Sequence, residues 1–363
     1  MKRILVQICC SVDSHYFLQS LRDEYPNSEI IGFFYNPNIH PYSEYILRYK
    51  DVQYSSKKLD IRVIDGEYEL QKWLNQTKGY EKEPEKGDRC TICYETRLLK
   101  TILKAKELGC DGFTTTLLMS PLKSQEKLNT IGTKLSKEYN IEFIYKDYRS
   151  GKGGVEQNLC AKENRLYRQN YCGCLYALKS QREYQQRLCD ELISPINRQV
   201  LPSSIEYRLE LFALRDKLME ENKEFFIKKI EFMNYRLLQA YLKQNNQILK
   251  SYVLAYSYLK NQKLKAKIEY IKDDIAYLNK NGVVFIKLDR FNKTLKTNYQ
   301  NIGQIDKNPP RFDDEVALRR ELIGQYSLSP IVVVEEFIQD QNYEIFIDSK
   351  YYIDTKEEIE TFS

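Results

Sequence analysis

Long apolar runs are missing from this 363-residue chain. None approaches the roughly 18 residues that a membrane-spanning helix needs, so no stretch is a candidate for one. The start, Met1-Lys2-Arg3-Ile4-Leu5-Val6-Gln7, makes a poor secretory signal: its apolar run is short, Gln7 interrupts it, and Asp13 and His15 stand where small cleavage-site residues belong. Internal repeats and low-complexity tracts are also lacking, which excludes repeat architectures. Charged residues reach 29%, but a hydrophobic fraction of 42% excludes general disorder. The expected setting is a reducing cytoplasm, where clustered cysteines serve metal or redox chemistry more often than disulfides.

Glycine is missing from one telling place. The apolar run Ile4 to Ile8 breaks off into Cys9-Cys10-Ser11-Val12-Asp13-Ser14, and helical spacing follows with Phe17, Leu18 and Leu21. This reads as strand, tight turn and helix, the place where ligands bind in open α/β sheets. ATP pyrophosphatase-type enzymes carry Ser-Gly-Gly-x-Asp-Ser here, with glycines that let backbone amides approach phosphate. This turn keeps Asp-Ser but offers thiols instead of the cradle, which argues against ATP use.

Further strands are expected at 29–35, 61–64, 111–118 and 141–146, and helices at 42–60, 69–75, from Cys90 to Gly109, and 124–138. Alternating strand and helix over about 150 residues predicts an α/β fold with a doubly wound parallel sheet, similar to the adenine nucleotide alpha hydrolase or PP-loop type. Residues 148–175 read as a glycine-rich loop containing Cys160. Past it the composition, rich in Lys, Gln, Leu and Tyr, predicts a mainly helical segment from Ala177 to about Asn279 and strands at 283–286, 331–334 and 343–347. The expected domains are 1–180, metal-binding and catalytic, and 181–363, a helical then α+β extension.

Charge is uneven within that extension. Residues 221–300 hold 16 Lys and Arg against 7 acids, whereas 301–363 hold 6 against 14. The basic block, rich in tyrosine, suits contact with an RNA backbone or another partner; a solvated helical face is the plain alternative.

Nine cysteines are present, and six form close pairs: Cys9-Cys10, Cys90-x-x-Cys93 and Cys172-x-Cys174. A Cys-x-x-Cys at a helix start gives one metal two thiolates, whereas adjacent cysteines and Cys-Gly-Cys are cramped for local disulfides. A [4Fe–4S] cluster takes four cysteines. Two thiols then remain beside Asp13, a set that suits a second metal with an open position. Structural zinc remains an alternative. In this reading Cys9 and Cys10 face different metals. Cys110 and Cys189 read as small buried hydrophobes.

Five spaced motifs occur in order: Cys9-Cys10-x-x-Asp13; Phe34-Tyr35-Asn36-Pro37-Asn38-Ile39-His40-Pro41 with Glu44-Tyr45 and Arg48; Cys90-x-x-Cys93-Tyr94-x-x-Arg97-Leu98; Phe113-Thr114-Thr115-Thr116-Leu117 with Ser120-Pro121-x-Lys123; and Tyr167-Arg168-Gln169-x-Tyr171-Cys172-Gly173-Cys174. Over about residues 1–180 this resembles the QueH-type epoxyqueuosine reductases. The resemblance implies cobalamin-independent reduction of epoxyqueuosine to queuosine at the tRNA wobble position, with a [4Fe–4S] cluster and a further mononuclear iron fed by an unidentified electron donor. It makes Cys9, Cys10, Cys90, Cys93, Cys172, Cys174 and Asp13 the ligands.

Around that site, Asn36, Asn38 and His40 are expected in the substrate pocket, with His40 as a proton source. Arg97, Arg149, Lys152 and Arg168 are expected on anticodon-loop phosphates, and Tyr35, Tyr167 or Tyr171 on a splayed base. The competing functions are an ATP-dependent PP-loop-like tRNA-modifying enzyme and a zinc-stabilised RNA-binding module.

Overall fold

The computed structural model describes residues 2–196, 199–324 and 326–362. The chain divides into two compact units: Met1–Ile193 with Arg208–Ile227 and Ile359–Ser363, and Ser194–Tyr207 with Lys228–Glu358.

In the first unit the elements run β1 (Arg3–Gln7), α1 (Ser11–Glu24), β2 (Glu29–Phe34), α2 (Tyr42–Lys58), β3 (Val63–Asp65), α3 (Leu70–Gln76), α4 (Asp88–Glu107), β4 (Gly112–Thr115), α5 (Gln125–Tyr139), β5 (Glu142–Phe143), α6 (Gly153–Glu163) and α7 (Leu175–Tyr184). The five strands are parallel in the order β3-β2-β1-β4-β5. Ile4, Leu5 and Val6 are fully buried among Phe17, Leu18 and Leu21 of α1, Leu98 and Ile102 of α4 and Leu128 of α5. Continuous apolar strands covered by helical apolar stripes are the pattern of a buried parallel sheet. The chain leaves β1 towards β2 on one side and returns to β4 on the other, so the strand order reverses at β1. Ligand crevices form outside the carboxyl ends of strands at such a reversal.

Two expected strands are shorter than anticipated. Beyond Thr115 the fourth strand tightens into a 3-10 turn, Thr116–Met119, capped by the Thr115 hydroxyl, which accepts from Leu117 N at 3.1 Å. The fifth pairs only at Glu142 and Phe143. The glycine-rich segment is not a loop throughout, because Gly153 and Gly154 open α6. A Cβ on Gly153 would stand 1.8 Å from the Tyr148 carbonyl oxygen, so this glycine serves close packing rather than mobility.

The extension departs most from expectation. After α8 (Ile205–Glu220) come β6 (Phe225–Gln244), β7 (Gln247–Leu249), β8 (Ser251–Val253), β9 (Lys263–Lys272), β10 (Ile275–Leu278), β11 (Val284–Lys287), α9 (Leu288–Leu295), α10 (Ile302–Lys307), α11 (Phe312–Ile323), β12 (Ile331–Val334) and β13 (Asn342–Thr361). From Phe225 the segment expected to be helical to about Asn279 is therefore mostly strand, within an eight-stranded sheet ordered β7-β6-β13-β9-β10-β11-β12-β8. Helix-favouring composition loses to alternation. Along β9, Lys263, Lys265 and Lys267 are exposed while Ala266 and Ile268 are buried. Asn245-Asn246 and Asp273-Asp274 have φ of 49°, 63°, 52° and 61° and close two-residue hairpins, the left-handed pairs such loops demand. Among the described residues no helix is long and apolar enough to cross a membrane.

Candidate metal centre

The carboxyl ends of β1, β2 and β4 are tied by one side chain, the buried Gln7. Its amide nitrogen donates to the carbonyls of Ile8 and Tyr35, both at 3.0 Å, and its carbonyl accepts from the Thr115 hydroxyl at 2.7 Å. The polar residue that interrupts the first apolar run thus fixes the platform for the turn above it.

In that turn Cys9 Sγ lies 3.7 Å from Cys10 Sγ and 3.3 Å from Asp13 Oδ2. The three ligand atoms lie within 4.8 Å of one another, the only such group of thiol, carboxylate and imidazole ligands among the described residues. Both sulfurs therefore lie in one group, where the sequence reading had them facing different metals. Cys10 is extended (φ −162°, ψ 165°) just where the chain enters α1, and leaving the strand at that residue lets both sulfurs converge. Asp13 is i+4 from Cys9 and shares its side of the turn.

The cluster is held from outside. Gln157 of α6 donates to Asp13 Oδ1 at 2.6 Å, Gln169 donates to Cys10 Sγ at 3.1 Å, and the Thr116 hydroxyl lies 3.4 Å from Cys9 Sγ. The Cys9 thiol bonded beside it, together with burial, pushes the Cys10 thiol well above its ordinary value. Burial also raises Asp13, against the hydrogen bonds it accepts. Two sulfurs and a carboxylate so placed carry excess negative charge once ionised. A cation among them would relieve it, so the donor set fits a metal.

The other four thiols come from two places. Cys90 and Cys93 lie in the first two turns of α4, and Cys90 Sγ accepts from Lys86 N at 3.3 Å. Cys172 and Cys174 flank Gly173, whose φ of +98° and a would-be Cβ 2.9 Å from Ile39 require glycine. This hairpin-like turn is fixed by His40 N donating to the Gly173 carbonyl at 2.8 Å and by Arg48, which donates to the carbonyls of Tyr171 and Cys172 at 3.0 and 3.2 Å. Cys93 and Cys174 share an apolar cluster with Trp73 and Ala177, against which Cys172 packs. Burial raises Cys90 and Cys93 and pushes Cys174 up to about 12. Burial would raise Cys172 too, but the Lys123 ammonium, 3.0 Å from its sulfur, outweighs that and lowers it.

A cavity of about 1030 Å³ reaches Cys9, Asp13 and Cys172 and is lined besides by Lys123, Gln157, Arg48, Arg89, Arg97, Arg149 and Arg168. Of the expected phosphate contacts, Arg97, Arg149 and Arg168 line it; Lys152 is exposed and does not. Arg97 is buried and donates to Asn36 Oδ1, while Asn36 Nδ2 donates to the Ile8 carbonyl at 2.9 Å. Asn36 is therefore spent on the platform rather than offered to a substrate, contrary to expectation. Asn38 and His40 also lie outside the lining; the His40 main chain instead holds Gly173 and accepts from the Tyr171 hydroxyl at 2.6 Å. Of the expected stacking residues only Tyr171 lines the cavity. Tyr35 and Tyr167 are buried and donate to Glu69 and Glu44. Gln157, Gln169 and Lys123 were not anticipated at the site. Lys123 and Gln169 lie within the Ser120-Pro121-x-Lys123 and Tyr167-to-Cys174 motifs, whereas nothing local marks Gln157, which α6 carries to the site.

A family model for "Epoxyqueuosine reductase QueH" matches residues 4–180. The epoxyqueuosine reductase QueH of Helicobacter pylori is 39% identical over 350 residues, 92% of this chain and 94% of its own. That of Thermotoga maritima is 36% identical over 186 residues, 50% of this chain and 94% of its own. Among solved structures, the U34-tRNA thiolase NcsA from Methanococcus maripaludis with its [4Fe-4S] cluster is weakly similar, at a TM-score of 0.32 and 15% identity over 61% of this chain and 66% of that one.

Proposed function

Because the chain belongs to the epoxyqueuosine reductase QueH family, we propose that it reduces epoxyqueuosine to queuosine at the wobble position of tRNA, without cobalamin and with a [4Fe–4S] cluster beside a mononuclear iron. In this reading Cys90, Cys93, Cys172 and Cys174 hold the cluster, and Cys9, Cys10 and Asp13 hold the iron. Bound there, the two groups supply electrons and a Lewis-acid position for the epoxide oxygen. Across the reaction, two electrons and two protons are taken up, the epoxide opens to an alkene, and its oxygen leaves as water.

The chain's own residues prepare that event. Gln157 occupies one oxygen of Asp13 and leaves Oδ2 on the side of Cys9. Lys123 sets a positive charge between Cys172 and the cavity. Arg149 and Arg168 at the cavity suit anticodon-loop phosphates. The sheet with its thiol-bearing first turn is read as a PP-loop-like architecture whose phosphate cradle has given way to metal ligands.

The observation that carries the proposal is the convergence of Cys9, Cys10 and Asp13 on one point beside an open cavity. A structural zinc site is normally closed by four ligands, which a three-ligand group facing a cavity does not match. The test is anaerobic conversion of epoxyqueuosine-containing tRNA, read by nucleoside mass analysis. Wild type should form queuosine and Asp13→Ala should not; equal activity of the two, or protein carrying zinc without iron or acid-labile sulfide, would sink the proposal.

A further inference from the structure

Arg215 lies in α8, outside the residues matched by the family model. It nevertheless reaches a carboxylate beneath the metal turn. Its guanidinium pairs with Asp51, with both side chains 1% exposed, and also donates to the Arg165 carbonyl at 2.9 Å. The other oxygen of Asp51 accepts from the hydroxyl of Ser11, the residue after Cys10, and from Tyr167 N at 2.9 Å. From Tyr167 the same stretch of chain runs to Gln169, which donates to Cys10 Sγ. The Tyr167 hydroxyl donates to Glu44, which is paired with Arg48, the residue holding the Cys172 carbonyl. One buried polar network therefore begins at Arg215 and ends on both sides of Cys10 and at the Cys172 turn.

Without Arg215, Asp51 would be a buried charge lacking its cation, and it would no longer hold Ser11 and Tyr167 in fixed register. Partners behind the ligands set ligand orientation and metal affinity. We infer that Arg215 is a positioning residue for the metal centre, and that α8 is a working part of the catalytic unit rather than an appendage. The inference rests on the reading that Cys9, Cys10 and Asp13 hold a metal.

The test uses the full chain, purified anaerobically, with labile iron removed by a mild chelator and Co(II) added as the probe. The sulfur-to-cobalt charge-transfer band, lost in Cys9→Ser, reports the site. Arg215→Met should weaken Co(II) binding on the order of tenfold or more, and Arg215→Lys should restore most of it. Ser11→Ala, which cuts only the link to the turn, should weaken binding without lowering the melting temperature. Arg215→Met and Ser11→Ala binding Co(II) as wild type does, whatever their melting temperatures, would overturn the inference alone. A wild-type protein showing no Cys9-dependent band would overturn the metal reading, and this inference with it.

Discussion

The Lys123 ammonium lies 3.0 Å from the sulfur of Cys172, and the lysine is buried there. A cation donating to a ligand sulfur stabilises the more reduced, more negative state of an iron–sulfur cluster. Lys123→Met should therefore shift the cluster's potential to more negative values, measured by redox titration under EPR. Lys123→Arg should shift it less. Unchanged potentials in both would mean that Cys172 is not a cluster ligand.

Gln157 donates to Asp13 Oδ1 at 2.6 Å and so fixes the orientation of Asp13. Gln157→Leu should lower iron retention at the Cys9, Cys10 and Asp13 group by about 10- to 100-fold, read as iron per chain after gel filtration. The chain's acid-labile sulfide should stay constant, which separates this loss from loss of the cluster.

Gly173→Ala would place a methyl group 2.9 Å from Ile39 and 3.1 Å from the Arg48 guanidinium at a φ of +98°. The expected cost is about 1–3 kcal/mol, seen as a lower melting temperature, together with reduced cluster content. Gly79→Ala, at a φ of +91° but in open space, should keep its cluster content and serves as the control.

On the second unit's sheet, Tyr241 and Phe346 stack with ring centroids 4.9 Å apart, Lys243 sits over Tyr241, and Lys263 and Lys265 share Glu344. Aromatic faces between lysines suit a nucleic-acid backbone and an unstacked base. Lys265→Glu and Phe346→Ala should weaken binding of a full-length tRNA transcript. The lysine change should also flatten its salt dependence, by about 0.7–0.9 in log–log slope for each phosphate no longer neutralised. Equal affinities and slopes would remove this face from the tRNA-binding surface.

Cys110 is buried two residues before β4, and burial pushes its thiol up to about 11. Its alkylation by iodoacetamide in the folded protein should rise about tenfold per pH unit between roughly pH 8 and 10, followed by mass mapping of its peptide. A plateau near pH 9 would indicate an ordinary, accessible thiol.

The sheet of the first unit was legible in the sequence because parallel strands are apolar throughout and helices carry their own period; strand limits shifted where pairing ran out, as at Thr115 and Phe143, and at the third strand, expected over 61–64 and found at Val63–Asp65. The cysteine pairs were legible as candidate ligands because thiol pairs at strand and helix ends have few structural uses. Contacts between distant segments were concealed. Nothing local links Gln157 to Asp13, 144 residues away, or shows that Asn36 is consumed by Arg97. In the extension, composition favoured helix, yet the alternation along β9 and the Asn-Asn and Asp-Asp hairpins were present in the letters and decided the fold.

The path of the chain between its units carries a consequence for synthesis. It passes from the first unit to the second at Ser194, back at Arg208, out again at Lys228 and back once more at Ile359. A ribosome delivers residues in order, and domains usually fold as they emerge. Here the first unit is incomplete until the segment from Ile359 has been made, so it cannot close when residue 193 emerges. Cutting the chain at residue 194 would leave that unit without α8, and Asp51 without its cation.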